Sequence, residues 1–381
     1  MVALALAVLW VAIQAADQRS EPDAASAHGC APARHPSGAA SSAVGHRGHP
    51  AAVPAALANA GTAGFAGGGS MHKLERANLR RELDAMAQAG ARWLRFDFNW
   101  SVVQCRGPRS WNWAPFDRVV AAARARGIEV LALIAYTPPW ARPAGTTSKY
   151  APDPAQFAVF ARAVARRYAP RGVHAYEIWN EPNHAAFWMP APDPAAYTRL
   201  LRAAYAAVKS ADPAATVISG GTAPAATDGT NYAPVDFVQA MYADGAAGSF
   251  DALGHHPYTF PVSPRDVHAW NAWYQMFGTT PSLRSLMEAN GDGAKQIWAT
   301  EYGAPTNGPA GSGFVSEAAQ AGLVSHAFPL FRSYSWAGPL LWYSGRDLGS
   351  RRTTRENFFG VLRRDFSRKP AYTAFRWAAG G

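Results

Sequence analysis

From about Ala58 onward the chain alternates between two kinds of hydrophobic pattern. Short apolar runs of strand length recur at TAGFAG (62–67), RWLRFDF (92–98), EVLALIAY (129–136), VHAYEIW (173–179), TVISGG (216–221), FDALGHH (250–256), QIWATEY (296–302) and PLLWYS (339–344). Between them lie stretches whose apolar residues return every three or four positions, the spacing of one helix face. These predict helices over 73–89, 115–126, 154–169, 194–210, 234–244, 282–289, 316–332 and 370–378. Strands separated by helices of this length argue for βαβ units and a parallel sheet. Eight of each predict an α/β fold, a (β/α)8 TIM barrel over residues 58–381. A Gly-rich dinucleotide fingerprint does not follow the first strand, which argues against a Rossmann sheet.

The first 57 residues follow another pattern. Residues 2–16, VALALAVLWVAIQAA, form an apolar run of signal-peptide length, and Ala25-Ser26-Ala27 offers a small-residue cleavage site. Residues 1–27 are therefore expected to be a signal peptide or an N-terminal anchor. Residues 28–57 are rich in Ala, Pro and Gly with almost no large apolar side chains, so they predict a flexible, disordered linker. Its histidines, His28, His35, His46 and His49, read as compositional bias rather than a metal site.

The whole chain of 381 residues carries a net charge of +10. Its arginines are spread along the helical stretches (Arg81, Arg124, Arg126, Arg162, Arg166, Arg167, Arg202), as on solvated faces, and no nucleic-acid-binding signature accompanies them. Nucleic acid is thus not an expected partner. Cys30 and Cys105 are the two cysteines, enough for one disulfide outside the cytosol or for two idle thiols. The 14 tryptophans serve core packing first, but indole faces also suit the apolar faces of sugars.

Candidate chemistry lies where strands end, because barrel enzymes place reacting groups at the C-terminal face. The fourth strand runs into EIWNEPN (177–183). Strict alternation puts Glu177, Trp179 and Glu181 on one face and Tyr176, Ile178 and Asn180 on the other. Pro182 stops the strand just after Glu181. The seventh strand ends in IWATEYG (297–303), which carries Glu301. Two carboxylates facing each other across one barrel are what glycoside hydrolysis needs, one to protonate the leaving oxygen and one to attack the anomeric carbon. The charge of one is also expected to raise the pKa of the other. The plain alternative is that each glutamate is salt-bridged to an arginine. Glu177, a full alternation deeper, is expected to be structural.

With WNEPN (179–183) and TEYG (300–303) in place, most of residues 60–378 resembles the clan A glycoside hydrolases, in the style of families 39 and 5 and of actinobacterial cellulase-family or β-xylosidase-like proteins. The resemblance implies Glu181 as acid/base and Glu301 as nucleophile, with Asn180 on the sugar 2-hydroxyl. It also implies Arg95 beneath the nucleophile, His256 and Tyr258 after strand six with Tyr258 orienting Glu301, and Trp342 as the floor of the sugar subsite. Arg95 could equally be a buried partner of Glu177 or Asp97, and both roles could hold. His255-His256 could be read as a metal site, but adjacent strand residues point to opposite faces. Trp100, Tyr136 and Trp140 fall near strand ends, where they line outer subsites or cap the barrel. AYTPPW (135–140) lacks the histidine that family 5 enzymes carry near the end of strand three, a departure that leans toward family 39.

The expectation is an exported retaining glycoside hydrolase acting by double displacement on an oligo- or polysaccharide. It needs no metal or cofactor, is a monomer, and is secreted or peripherally associated with the cell envelope. The competing expectation is a carbohydrate-binding or envelope-associated barrel that has lost the chemistry.

Overall fold

Each apolar run becomes a strand. The computed structural model describes residues 62–380. The strands are Ala63–Ala66 (β1), Trp93–Asn99 (β2), Glu129–Ala135 (β3), Ala175–Asn180 (β4), Thr216–Gly221 (β5), Ala252–His255 (β6), Gln296–Tyr302 (β7) and Ala337–Tyr343 (β8). They form one closed barrel in sequence order. Every pair is parallel, and β1 closes the ring against β8 with Gly64 beside Leu341. The expected (β/α)8 barrel is the fold.

The helices are Arg76–Gln88 (α1), Trp100–Val103 (α2), Ala114–Arg124 (α3), Pro154–Tyr168 (α4), Pro194–Ala211 (α5), Pro234–Ala243 (α6), Ala272–Gln275 (α7), Leu283–Ala289 (α8), Glu317–Arg332 (α9) and Pro370–Ala378 (α10). Local sequence sets several starts. Asp153-Pro154 and Asp193-Pro194 repeat one device: the aspartate side chain accepts a backbone N–H of the first turn, and proline fills the position whose N–H needs no partner. Ser282 and Ser285 form a reciprocal capping box at α8. The single-turn helices α2 and α7 were not in the sequence expectation, because four residues are too few to show a helical period.

Inside the barrel the side chains lie in layers. Trp93, Leu131, Ala175, Ile218, Ala252, Trp298 and Leu341 form an apolar plug, with the Trp93 and Trp298 rings edge to face at 5.1 Å. This plug keeps water from rising through the barrel, so polar groups above it can be buried only as partners of one another. Outside, a larger apolar shell joins the strands to the helices.

The expected signal peptide or anchor, the expected linker and Cys30 lie outside the described residues, whereas Cys105 is disulfide-bonded. No helix among the described residues is long and apolar enough to cross a membrane.

Where β5 meets β6 the backbones approach too closely for a side chain. A Cβ on Gly254 would stand 2.2 Å from the Ser219 carbonyl oxygen. Gly254→Ala is therefore expected to destabilise the fold by about 3 kcal/mol, the upper end of overpacking costs. Urea denaturation measures this, and an unchanged midpoint would contradict it.

Candidate active site

The site is built upward from Arg95. Two residues apart on β2, Trp93 belongs to the apolar plug and Arg95 rises above it, fully buried. An isolated cation there would be untenable, so its N–H groups are spent on acceptors. Nε donates to Glu177 Oε2 at 2.5 Å, and Nη2 donates to Glu177 Oε1 at 3.2 Å and to Asn180 Oδ1 at 2.8 Å. Nη1 donates to Glu301 Oε1. Both roles open for Arg95 in the sequence are thus occupied at once. Glu177 Oε1 also accepts the Gly221 N–H at 2.9 Å and the Thr300 hydroxyl at 3.0 Å, so this deep acid is saturated with donors and structural in character. Gly221 is required here, because a Cβ would fall 2.3 Å from His256 Nε2.

The end of β4 departs from simple alternation. Trp179 has φ +70° and Glu181 φ +47°, both in the left-handed region. The reversal at Trp179 sends its indole out of the barrel toward Trp188 and lets Nε1 donate to the Phe187 carbonyl at 2.8 Å. Asn180 consequently turns inward beside Arg95, on the same side as Glu177 and Glu181, not on the opposite face as alternation predicted. Left-handed backbone at non-glycine residues costs about 1–3 kcal/mol each and persists only where surrounding contacts impose it. Those contacts are visible: the Glu181 N–H donates to the Gly221 carbonyl at 3.0 Å, and the Glu181 carboxyl meets His256.

On β7 the register shifts between Ala299 and Tyr302. This irregularity lets two successive residues reach the barrel interior, Thr300 toward Glu177 and Glu301 toward Arg95. The Tyr258 hydroxyl donates to Glu301 Oε2 at 2.8 Å. Burial alone pushes the Glu301 pKa up, but His256, Arg95 and the Tyr258 hydroxyl outweigh it and hold the carboxyl below its ordinary range.

His256 spans the two acids. Its Nδ1 lies 2.9 Å from Glu181 Oε1 and 3.9 Å from Glu301 Oε2. Its buried Nε2 has no hydrogen-bond partner among the described residues and faces Glu177 Oε1 at 3.9 Å. A bare lone pair against that oxygen would be repelled, which favours hydrogen on Nε2. His255 points the other way, to Thr222 Oγ1 and the Ala272 carbonyl, so the two histidines do not share a site.

One oxygen of Glu181, one of Glu301 and His256 Nδ1 lie within 4.8 Å of one another. That donor set is close enough to converge on a cation, but the Arg95 guanidinium already bonded to Glu301 would repel one. Carboxylates this near each other match retaining chemistry, at about 5–5.5 Å, and not the wider gap that an inverting water needs.

The aromatic expectations divide. Trp342 does not floor the site: it is fully buried in the outer shell, and its Nε1 donates to the Phe359 carbonyl. The next residue, Tyr343, faces inward and is partly open. Trp100 is a buried cap on the core, with Trp140 edge-on against it at 5.6 Å and half-buried. Sequence reasoning also gave Asp97 no role at the mouth. Its place two residues beyond Arg95 on an inward-facing strand was the available signal.

Paired acids at the ends of strands four and seven, one held ionised and one bonded to an imidazole, are the equipment for splitting glycosidic bonds. Residues 58–320 match Cellulase (glycosyl hydrolase family 5), and the chain belongs to that family. The histidine missing near the end of β3 therefore does not exclude it from family 5. Among solved structures, a family 39 glycoside hydrolase from the gut symbiont Bacteroides cellulosilyticus WH2 superposes with a TM-score of 0.67 at 24% identity, over 84% of this chain and 63% of that one. GH5_18 from Streptomyces cattleya in complex with GlcNAc gives a TM-score of 0.59 at 17% identity, over 84% of this chain and 80% of that one. The exo-beta-1,4-mannosidase Op5Man5 from Opitutaceae bacterium strain TAV5 gives 0.59 at 16%, over 84% and 59%. The chain thus spans less than two thirds of the family 39 enzyme's length. No curated protein matches it.

Asp97 supplies a test of the electrostatics. Burial first of all, together with Glu301 and Glu177, pushes its carboxyl up from 3.8 to about 6, despite Arg95 and the Tyr136 hydroxyl. A group with a raised folded pKa adds stability below its unfolded value, and that stability is lost as pH rises through about 6. Fully ionised, Asp97 therefore opposes folding by up to about 3 kcal/mol. Asp97→Asn is expected to raise Tm at pH 7.5 and to change it little near pH 4. Thermal melts at the two pH values check this, and an equal shift at both would contradict it.

Proposed function

We propose that the protein is an exported retaining glycoside hydrolase that cleaves O-glycosidic bonds of an oligo- or polysaccharide by double displacement. The observation that carries this reading is the short gap between the Glu181 and Glu301 carboxyls. Glu301, kept ionised by Arg95 and Tyr258, attacks the anomeric carbon, while Glu181 gives its proton to the leaving oxygen. Glu181 then draws a proton from the water that releases the sugar from Glu301. His256 holds Glu181 in line. Asn180, fixed by Arg95, is placed for the 2-hydroxyl of the bound sugar, and Tyr343 takes the floor position expected of Trp342. Trp140 serves an outer subsite at the rim. A carbohydrate substrate is supported by the GlcNAc bound to the Streptomyces cattleya protein. Export is supported by the apolar run at residues 2–16 and by the disulfide at Cys105, a bond kept in oxidising compartments. The protein acts as a monomer, secreted or held at the cell envelope.

Hydrolysis of a panel of p-nitrophenyl glycosides and polysaccharides tests the reading. Glu301→Gln is expected to abolish turnover, and Glu181→Gln to lower it by about 10²–10⁴ on substrates with poor leaving groups. The acidic limb of kcat/KM is expected below pH 4.5, because Glu301 stays ionised beneath its ordinary value. Full activity in Glu301→Gln, or glycan binding without aglycone release by the wild type, would overturn the assignment in favour of a carbohydrate-binding barrel.

A further inference from the structure

Asp97 is the acid at the barrel mouth that the double displacement leaves unused. It stands at the inward face of β2, one alternation above Arg95, and is 5% exposed. Arg95 does not neutralise it directly, since the guanidinium's hydrogen bonds go to Glu177, Glu301 and Asn180. Among the described residues no hydrogen bond of ordinary geometry ends on the Asp97 carboxyl; the Tyr136 hydroxyl is the donor turned toward it. Tyr136 itself is held with φ +74° at the end of β3 and senses both Glu301 and Glu181 electrostatically. On the other side Asp97 Oδ2 faces Gly69, an exposed residue of the 3-10 segment Gly68–Lys73 after β1, and even a Cβ there would come within 3.0 Å of that oxygen. Gly69 thus adds no side chain over the carboxyl, which keeps the small exposure it has, the same as that of Asn180.

A carboxylate has room for about four hydrogen bonds, and leaving a buried one nearly bare costs free energy. The other buried acid of this layer, Glu177, is saturated by the protein, and Glu301 is bonded on both oxygens. Asp97 differs from both in being left for an outside donor. The donors that enter this mouth are sugar hydroxyls, and adjacent ring hydroxyls match the spacing of the two carboxylate oxygens.

We propose that Asp97, backed by Tyr136 and not screened by a side chain at Gly69, is a specificity-determining residue that accepts hydrogen bonds from two adjacent ring hydroxyls of the sugar lying over Glu301. Asn180 stands on the β4 side of the mouth and takes the 2-hydroxyl, so Asp97 on β2 reads hydroxyls farther round the ring. The substrate class is accordingly one whose sugar at the cleavage point keeps its 3- and 4-hydroxyls free, as at a chain end or in a linkage through other positions. This rests on the proposed hydrolase reading.

The test uses the p-nitrophenyl glycoside that the full-length wild type cleaves best, together with its 3-deoxy and 4-deoxy analogues. Asp97→Asn is expected to lower kcat/KM for the parent glycoside by about 100-fold, in the range of a lost charged hydrogen-bond pair, and for at least one deoxy analogue by under about threefold. Tyr136→Phe is expected to show the same substrate dependence with a smaller loss. Equal losses on parent and analogues would show a purely structural role and overturn the proposal, as would no loss on the parent. If the wild type cleaves no glycoside at all, the hydrolase reading fails, and this assignment with it.

Discussion

Arg95 carries a permanent charge into a barrel sealed below by apolar side chains, where an ion without partners would cost several kcal/mol. The neighbouring polar groups are arranged around that requirement. Glu177 balances the charge and is itself completed by the Gly221 amide and the Thr300 hydroxyl. Asn180 and Glu301 take further guanidinium hydrogens. A planar fork of N–H donors fixes direction as well as charge, so these bonds also fix where Asn180 and Glu301 point. Glu301 is thus positioned by the ion that keeps it ionised, and that ion is positioned by Glu177, an acid whose own oxygens are taken up by the protein.

The barrel was legible in the sequence because every strand buries an apolar run and several helices advertise their starts with Asp-Pro or serine caps. The two acids were legible too, since a strand end fixes its residue at the mouth whatever the neighbouring loops do. Finer placement was not. At β8 both faces are apolar, with Leu340 and Trp342 on one side and Leu341 and Tyr343 on the other, so alternation cannot say which aromatic looks inward. Register against β1 settles it, pairing Phe65 with Trp342 and Ala66 with Tyr343. The left-handed residues at Trp179 and Glu181 and the irregular register of β7 were hidden for a related reason. Each is imposed by partners distant in sequence, and none leaves a local signature such as glycine.

Those three departures cluster at the groups gathered at the barrel mouth. Regular strands would have sent Asn180 outward and allowed only one of Thr300 and Glu301 to enter the barrel. The same trade is seen in Asp97, a carboxyl whose burial opposes folding and whose oxygens the protein leaves largely unpaired. Stability is given up at the mouth and recovered in the apolar plug and outer shell, a division common where sites need groups held ready for a ligand.

Asn183, the last residue of WNEPN, has a consequence of another kind. Its side chain donates to the carbonyls of Ala223 and Tyr232 and accepts the Ala223 N–H, each at 2.8 Å. The segment after β4 and the segment after β5 are therefore stitched into one piece, although separate helices follow them. Attempts to recombine this barrel with a relative, or to graft a foreign loop at one of these positions, meet a unit that moves whole. A crossover between the two segments leaves three buried polar groups without partners, whereas one that carries both together keeps the seam closed.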